Sequence, residues 1–357
     1  MEESFYVKSK EKIESFFNSL NKDDKVGIFA HSNCLDGMVS AIFVSEILRQ
    51  KNIIPEIINF IPYTMEEIRR IEKAAESGRI NKIIVLDINL DSLDSDLVKR
   101  IEKINFLFVD HHPSAEDFNW SDKIIKAESA DCTSWLIYYL GRDLFDKKDI
   151  DWLIDPAMIH EFAFNKKEHF DFLKERNKDI TEDNINKVGE FESGVLMIKL
   201  SSLINYYKDN QIKAYEIIKN KNLKEIEEKN KIVSEEFDRC IEEYKKNAEY
   251  YRDAKVYIGI LEPRFDINSA VCTKLSVDDV DNTYVILRDS GDEFFKGSIR
   301  DHLGKRDVNK ICKNAIKGLK DSVAGGHNAA AGFRIRKEDL KDFKENLRKE
   351  LTESGKD

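Results

Sequence analysis

Three apolar runs, each too short for a helix and each followed at once by polar residues, constrain this chain more than any other feature. Residues 25–30 (KVGIFA) lead into His31-Ser32-Asn33-Cys34-Leu35-Asp36-Gly37, residues 83–86 into Asp87, and residues 106–109 into Asp110-His111-His112. Continuous apolar runs of this length read as strands buried on both faces. Residues 53–60 read as a further strand. Between the strands, residues 37–49, 65–75 and 93–101 carry apolar side chains at helical spacing. This βαβα alternation predicts an α/β fold: a mainly parallel, doubly wound sheet with helices on both faces. In such a sheet the carboxyl ends of the strands share one edge, where ligands bind. His31, Asp36, Asp87, Asp110 and His111 are therefore expected to meet in one crevice.

The rest of the chain changes character twice. Residues 166–250 are rich in Lys, Glu and Asn, lack proline, and space Val195, Leu196, Ile198, Leu200, Leu203 and Ile204 as helices do. The last of these helices is expected over 223–251, and the heptad pattern is not sustained enough for a coiled coil. Strands return at 255–261, 283–288 and 294–300, helices at 308–317 and 337–350, with a glycine-rich turn at 324–326. Three parts follow: an α/β domain over 1–165, a helical connector over 166–253 and a smaller α/β domain over 254–357. Phe, Tyr and Trp number 21, 12 and 3, too many for a disordered chain. No apolar run approaches the roughly 20 residues of a membrane span. The start, MEESFYVKSKEK, lacks an apolar signal core. Five scattered cysteines with no CxxC pair argue against a zinc ribbon or disulfide framework and for a reducing cytoplasm. A net charge of −10 disfavours wrapping of long duplexes, so any nucleic-acid contact should be local.

Burying several carboxylates together is strongly unfavourable unless cations neutralise them. Mixed carboxylate and imidazole donors suit Mn²⁺ and Mg²⁺ better than structural zinc. Taken singly, an Asp after a strand is by default a helix N-cap, and a lone His is unremarkable. Three such groups, each at a strand end, weigh against that reading.

Asp110-His111-His112 resembles the signature of the DHH phosphoesterase superfamily. The segment His31-x-Asn33-x-x-Asp36-Gly37 resembles its first motif and Asp87 its second. Gly325-Gly326-His327-Asn328-Ala329-Ala330-Ala331-Gly332 resembles the GGH-x-AAG loop of the DHH-associated C-terminal domain, and Ser298-Ile299-Arg300 the Ser-x-Arg strand end before it. Four of the seven histidines fall within these motifs. The resemblance implies two divalent ions, Mn²⁺ or Mg²⁺, held by His31, Asp36, Asp87, His111 and a fourth-motif aspartate, with Asp87 bridging. Asp155 is the candidate for that aspartate and Asp151 the fallback; an Asp before Pro156 is otherwise an ordinary turn residue. Asp110 would orient a histidine, and His112 would act near the phosphate as hydrogen-bond donor or leaving-group acid. Arg300, Gly325, Gly326 and His327 would bind the substrate phosphate or a second anionic end.

The first motif departs from the family pattern. Many members carry two aspartates there, whereas this chain has Asn33 and one extra residue before Asp36, so one ion would see less negative charge. Cys34 reads as a packed small side chain, with a soft ligand as the alternative. The reading that follows is a metal-dependent phosphodiesterase or exonuclease acting on short or single-stranded nucleic acid or a related nucleotide phosphoester. RecJ-like and nanoRNase-like enzymes both fit it, and no aromatic-rich stacking module is visible. The alternative is a non-catalytic DHH-fold scaffold that binds nucleic acid or a replication partner. A family inorganic pyrophosphatase fits less well, since those enzymes pair the first domain with a different second one. No membrane partner is expected, and a homodimer is left open.

Overall fold

The computed structural model describes residues 2–62, 65–90, 105–112 and 121–354. Among these residues five strands, β1 (Val26–His31), β2 (Ile57–Ile61), β3 (Lys82–Leu86), β4 (Asn105–Asp110) and β5 (Ile124–Lys126), form one sheet in the order β2-β1-β3-β4-β5. Every neighbouring pair is parallel. The apolar runs are continuous because both faces of the sheet are covered. Ile28, Ile84 and Leu107, paired across three strands, face one core, and Phe29, Val85 and Phe108 face another. All six are buried, each contributing about 1.5–3 kcal/mol by leaving water. The helix expected over 93–101 lies outside the described residues.

The larger core gathers the helix Leu35–Gln50, buried at every position from Leu35 to Leu48 because elements pack on all its sides. Ile13, Phe16 and Phe17 from the helix Glu2–Asn18 join it, as does the helix Thr133–Leu140. Neither the helix Glu2–Asn18 nor β5 carries a sequence signal strong enough to predict it. Most of the segment expected as a connector packs here too: Leu200, Leu203, Ile204, Tyr215, Ile217 and Ile218 are buried in this core. The chain divides into two compact units, residues 1–230 and 231–357, with the division inside the helix Leu223–Asn247.

The second unit is built on a six-stranded mixed sheet, β6 (Glu249–Tyr251), β7 (Val256–Ile260), β8 (Thr283–Asp289), β9 (Phe294–Arg300), β10 (Val323–His327) and β11 (Ala330–Arg336), ordered β10-β11-β9-β8-β7-β6. Only β7 and β8 run parallel. Two expectations are corrected here. The helix predicted to reach residue 251 stops at Asn247, and β6 follows. The predicted turn at 324–326 is instead strand β10, and the turn falls at Asn328 and Ala329. Pairing with β11 overrides the low strand preference of Gly325 and Gly326, which sit on an edge strand where glycine is tolerated. Among the described residues no helix is long and apolar enough to cross a membrane.

Candidate metal centre

The sheet order reverses direction between β2-β1 and β3-β4, and a crevice opens at the carboxyl ends of strands where such a reversal occurs. His31 ends β1, Asp87 directly follows β3, and Asp110 ends β4 with His111 and His112 just beyond. Asp36 enters from the first turn of the helix Leu35–Gln50. That turn passes close against β1: a Cβ on Gly37 would lie 2.6 Å from the His31 carbonyl oxygen, so only glycine fits. Asp87 adopts a left-handed backbone, φ +59°. Such conformations in non-glycine residues persist where surrounding structure enforces them, often at functional sites.

The imidazole of His111 stands at the middle of the cluster. Its Nε2 lies 3.4 Å from Asp87 Oδ1, 3.8 Å from Asp36 Oδ2 and 3.9 Å from Glu161 Oε2. His31 Nδ1 lies 3.4 Å from Asp87 Oδ2, and His112 Nδ1 3.8 Å from Asp87 Oδ1. Asp36, Asp87 and His111 are 0, 1 and 5% exposed. Both His111 ring nitrogens are buried without a hydrogen-bond partner among the described residues. Three carboxylates around one buried imidazole, whose nitrogens have no hydrogen bond of regular geometry among the described residues, form a donor set that fits a divalent cation. Asp36 also anchors a neighbouring element. Its two oxygens accept the backbone N–H groups of Thr133 and Ser134, each at 2.8 Å, at the start of the helix Thr133–Leu140.

The charges pull these groups apart in pKa. Burial and the neighbouring Asp87 push Asp36 up to about 7. Burial also opposes ionisation of Asp87, but the facing imidazoles of His111 and His31 outweigh it and hold Asp87 well below the usual carboxylate range. Burial disfavours the His111 imidazolium, yet Asp87, Asp36 and Glu161 raise it to about 10. Asp110 is tied to His112 Nδ1 at 2.7 Å and to the Lys126 ammonium, which also reaches Asn89 Oδ1 at 3.0 Å. These partners overcome the burial of Asp110 and keep it ionised, and Asp110 in turn raises His112. Asp110 thus orients His112, not His111.

Two first-motif expectations change. Asn33 is exposed, adopts φ +56° and donates its backbone N–H to Gln211 Oε1 at 3.2 Å. Asn favours this left-handed turn, and the turn delivers the next residue, Cys34, to the cluster instead. The Cys34 sulfur lies within 4.8 Å of donor atoms on His31 and Asp87, and forms a second such group with His160 and Glu161. Burial, with Asp87, Glu161 and Asp36 nearby, pushes the Cys34 thiol up.

The fourth-motif expectation is corrected as well. Asp155 accepts from Arg176 Nε at 2.6 Å and from Asn177 Nδ2 at 3.0 Å. Its fallback Asp151 pairs with Arg176 at 2.8 Å and with the Tyr138 hydroxyl. Among the described residues, neither belongs to a donor group around the strand ends. The helix Ile154–His160 carries Asp155 in its first turn and brings His160 and Glu161 to the cluster at its far end. Glu161 Oε1 accepts from His160 Nδ1 at 2.7 Å and from the Cys34 thiol at 3.6 Å, while Oε2 faces His111. No motif in the sequence points to Glu161, His160 or Lys126, and the adjacent His160-Glu161 pair is the one trace they leave there.

In the second unit, Arg300, Ala330 and His327 stand in register across β9, β11 and β10, at one end of the sheet. Arg300 donates to Ser269 Oγ at 2.6 Å, to Thr273 Oγ1 at 3.2 Å and to the Ile299 and Ala331 carbonyls. Gly325, Gly326 and His327 are exposed along the edge strand β10.

A parallel α/β unit with a carboxylate–imidazole cluster at its switch point, followed by a smaller mixed-sheet unit, defines the DHH phosphoesterase fold. Residues 25–160 match the N-terminal domain of the DHH family and residues 262–353 the DHHA1 domain. The chain belongs to the DHH superfamily, with a DHHA1 domain on its C-terminal side. Its fold is similar to that of RecJ in complex with Mn²⁺ from Thermus thermophilus, at 12% identity and a TM-score of 0.68, covering 97% of this chain and 55% of that one. It is similar to an exonuclease RecJ bound to manganese, at 12% identity and a TM-score of 0.65, covering 96% and 94%. It is also similar to CDC45 from Entamoeba histolytica, at 10% identity and a TM-score of 0.52, covering 97% and 99%. This chain therefore spans about half the length of the Thermus protein. No curated protein matches it.

Proposed function

We propose that the protein is a divalent-metal-dependent phosphodiesterase or exonuclease that hydrolyses short or single-stranded oligonucleotides or related nucleotide phosphoesters. The observation that carries this reading is the buried set of Asp36, Asp87 and Glu161 around His111, whose ring nitrogens have no hydrogen-bond partner of regular geometry among the described residues. His31, Asp36, Asp87, His111 and Glu161 would hold the ions. When bound, Mn²⁺ or Mg²⁺ supplies charge neutralisation and acidifies a water at neutral pH.

The remaining work falls to the chain itself. With Nδ1 engaged by Asp110, proton exchange at His112 falls to Nε2, and Asp110 raises the pKa of the ring, favouring its cationic form. A cationic His112 donates a hydrogen bond to a phosphate oxygen or a proton to the departing alkoxide. Lys126 fixes the other Asp110 oxygen, so the Asp110–His112 pair keeps one orientation. In the second unit, considered by itself, Arg300 and the exposed backbone of Gly325 and Gly326 beside His327 would offer groups that bind an anion.

The test is hydrolysis of end-labelled RNA and DNA oligomers, from two to about twenty nucleotides, with Mn²⁺ and with EDTA. Mononucleotide release that needs Mn²⁺ and disappears in Asp87→Ala and His111→Ala is the expected result, and the length preference separates nanoRNase-like from RecJ-like action. Metal-dependent activity retained in folded Asp87→Ala would overturn the site. A second reading, a nucleic-acid-binding or replication-partner scaffold, is favoured by the thiol that Cys34 brings where many family members have a carboxylate. Folded wild-type protein that binds oligomers and cleaves none would select it.

A further inference from the structure

We propose that Cys34 is a thiolate ligand of the metal centre, making it a mixed sulfur–nitrogen–oxygen site that prefers borderline ions such as Zn²⁺ and Co²⁺ over Mg²⁺. The proposal rests on the ion-binding reading above and goes beyond it by naming the donor that sets ion selectivity.

Cys34 occupies the N-cap position of the helix Leu35–Gln50, with φ −121° and ψ 135°. Side chains at that position usually accept a backbone N–H of the first turn. Cys34 forms no cap hydrogen bond of regular geometry, although the Gly37 N–H favours its thiolate, and its sulfur also meets the Glu161 carboxylate at 3.6 Å. A small side chain kept only for packing would be expected against apolar neighbours. This sulfur, on a residue 8% exposed, lies among imidazoles and carboxylates. It is shared by two donor groups, one with His31 and Asp87 and one with His160 and Glu161, each within 4.8 Å. The other four cysteines are buried and belong to no such group among the described residues. Cys132, at the start of the neighbouring helix, contacts the Ser134 hydroxyl at 3.4 Å.

Thiolate ligands favour zinc-like ions, and all-oxygen sets favour Mg²⁺. On coordination the Cys34 thiol would lose its proton to solvent as the sulfur–metal bond forms. His160 and Glu161 would then complete a thiolate–imidazole–carboxylate set, beside the group that Cys34 forms with His31 and Asp87.

Co²⁺ titration of the full-length apo protein tests this by absorption. The expected result is a near-ultraviolet sulfur-to-cobalt charge-transfer band beside the visible d–d bands, kept in Cys132→Ser and lost in Cys34→Ser. Zn²⁺ should displace the cobalt and a hundredfold excess of Mg²⁺ should not, while Cys34→Asp should narrow the preference for Zn²⁺ over Mn²⁺ about tenfold. X-ray absorption of the zinc-loaded wild type needs no variant and should find a sulfur scatterer at about 2.3 Å. Stoichiometric cobalt binding with d–d bands but no sulfur band would overturn the Cys34 assignment and leave the ion-binding reading intact. Failure of the folded protein to bind Co²⁺, Zn²⁺ or Mn²⁺ at all would overturn both.

Discussion

Metal binding at this cluster should expel protons, and the number can be worked from the electrostatics. His111 is raised to about 10 by Asp87, Asp36 and Glu161, so at pH 7 its imidazole carries a proton that a metal ligand must give up. Burial and Asp87 raise Asp36 to about 7, so half a proton resides there at the same pH. Binding of Mn²⁺ should therefore release at least about 1.5 protons at pH 7 and about 1.1 at pH 8, where Asp36 is already ionised. Cys34 would add a further proton wherever it binds as thiolate. The sign follows: both groups hold protons in the apo protein, so affinity rises with pH. The two groups together predict binding about 30-fold tighter at pH 7.5 than at pH 6.5, about 2 kcal/mol. Isothermal titration calorimetry in buffers of different ionisation enthalpy measures the proton count directly. Asp36→Asn should lower it by about one half at pH 7. Mn²⁺ binding without proton release, or with uptake, would refute this account of how the carboxylates and His111 are coupled.

Two predictions concern the second unit. Glu236, 1% exposed, accepts from Arg239 at 2.7 and 2.9 Å and from Arg264 at 2.8 and 3.0 Å. Arg239 foremost, with Arg264, lowers its pKa from 4.5 to about 2 despite burial, so its stabilisation is full above pH 4.5 and is lost as pH falls towards 2. After allowance for the exposure of both arginines it contributes about 2 kcal/mol, and denaturant melts of Glu236→Gln from pH 7 to pH 3 should lack that pH-dependent loss. In the sheet, a Cβ at Gly297 would meet the ring of Phe333, its direct partner across β9 and β11, at 2.1 Å. Gly297→Ala should destabilise the unit by about 1–3 kcal/mol by chemical melt, and adding Phe333→Leu should recover part of that. An unchanged midpoint would mean that the ring moves aside without cost.

The parallel sheet and most of the strand-end residues were legible in the sequence for one physical reason. Strands buried on both faces must be apolar throughout, so 25–30, 83–86 and 106–109 stand out, and polar residues directly after them can only lie at the carboxyl edge. His31, Asp36, Asp87, Asp110, His111 and His112 therefore arrive together from local pattern alone. Residues at the edge of an element, or far from it in sequence, carry no such mark. Whether Asn33 or Cys34 faces the cluster depends on a single left-handed turn, which composition does not encode. Whether Asp155 or Glu161 reaches His111 depends on the direction of the seven-residue helix Ile154–His160, which places its first turn at Arg176 and its end at the strand tips. Residues 200–218 read as a connector because their helical period is local, while their burial beside the helix Leu35–Gln50 is a long-range packing outcome. Local chemistry along the chain thus determines the sheet and its polar edge. Only the tertiary structure, through helix direction and one backbone turn, decides that a thiol and a glutamate complete the cluster.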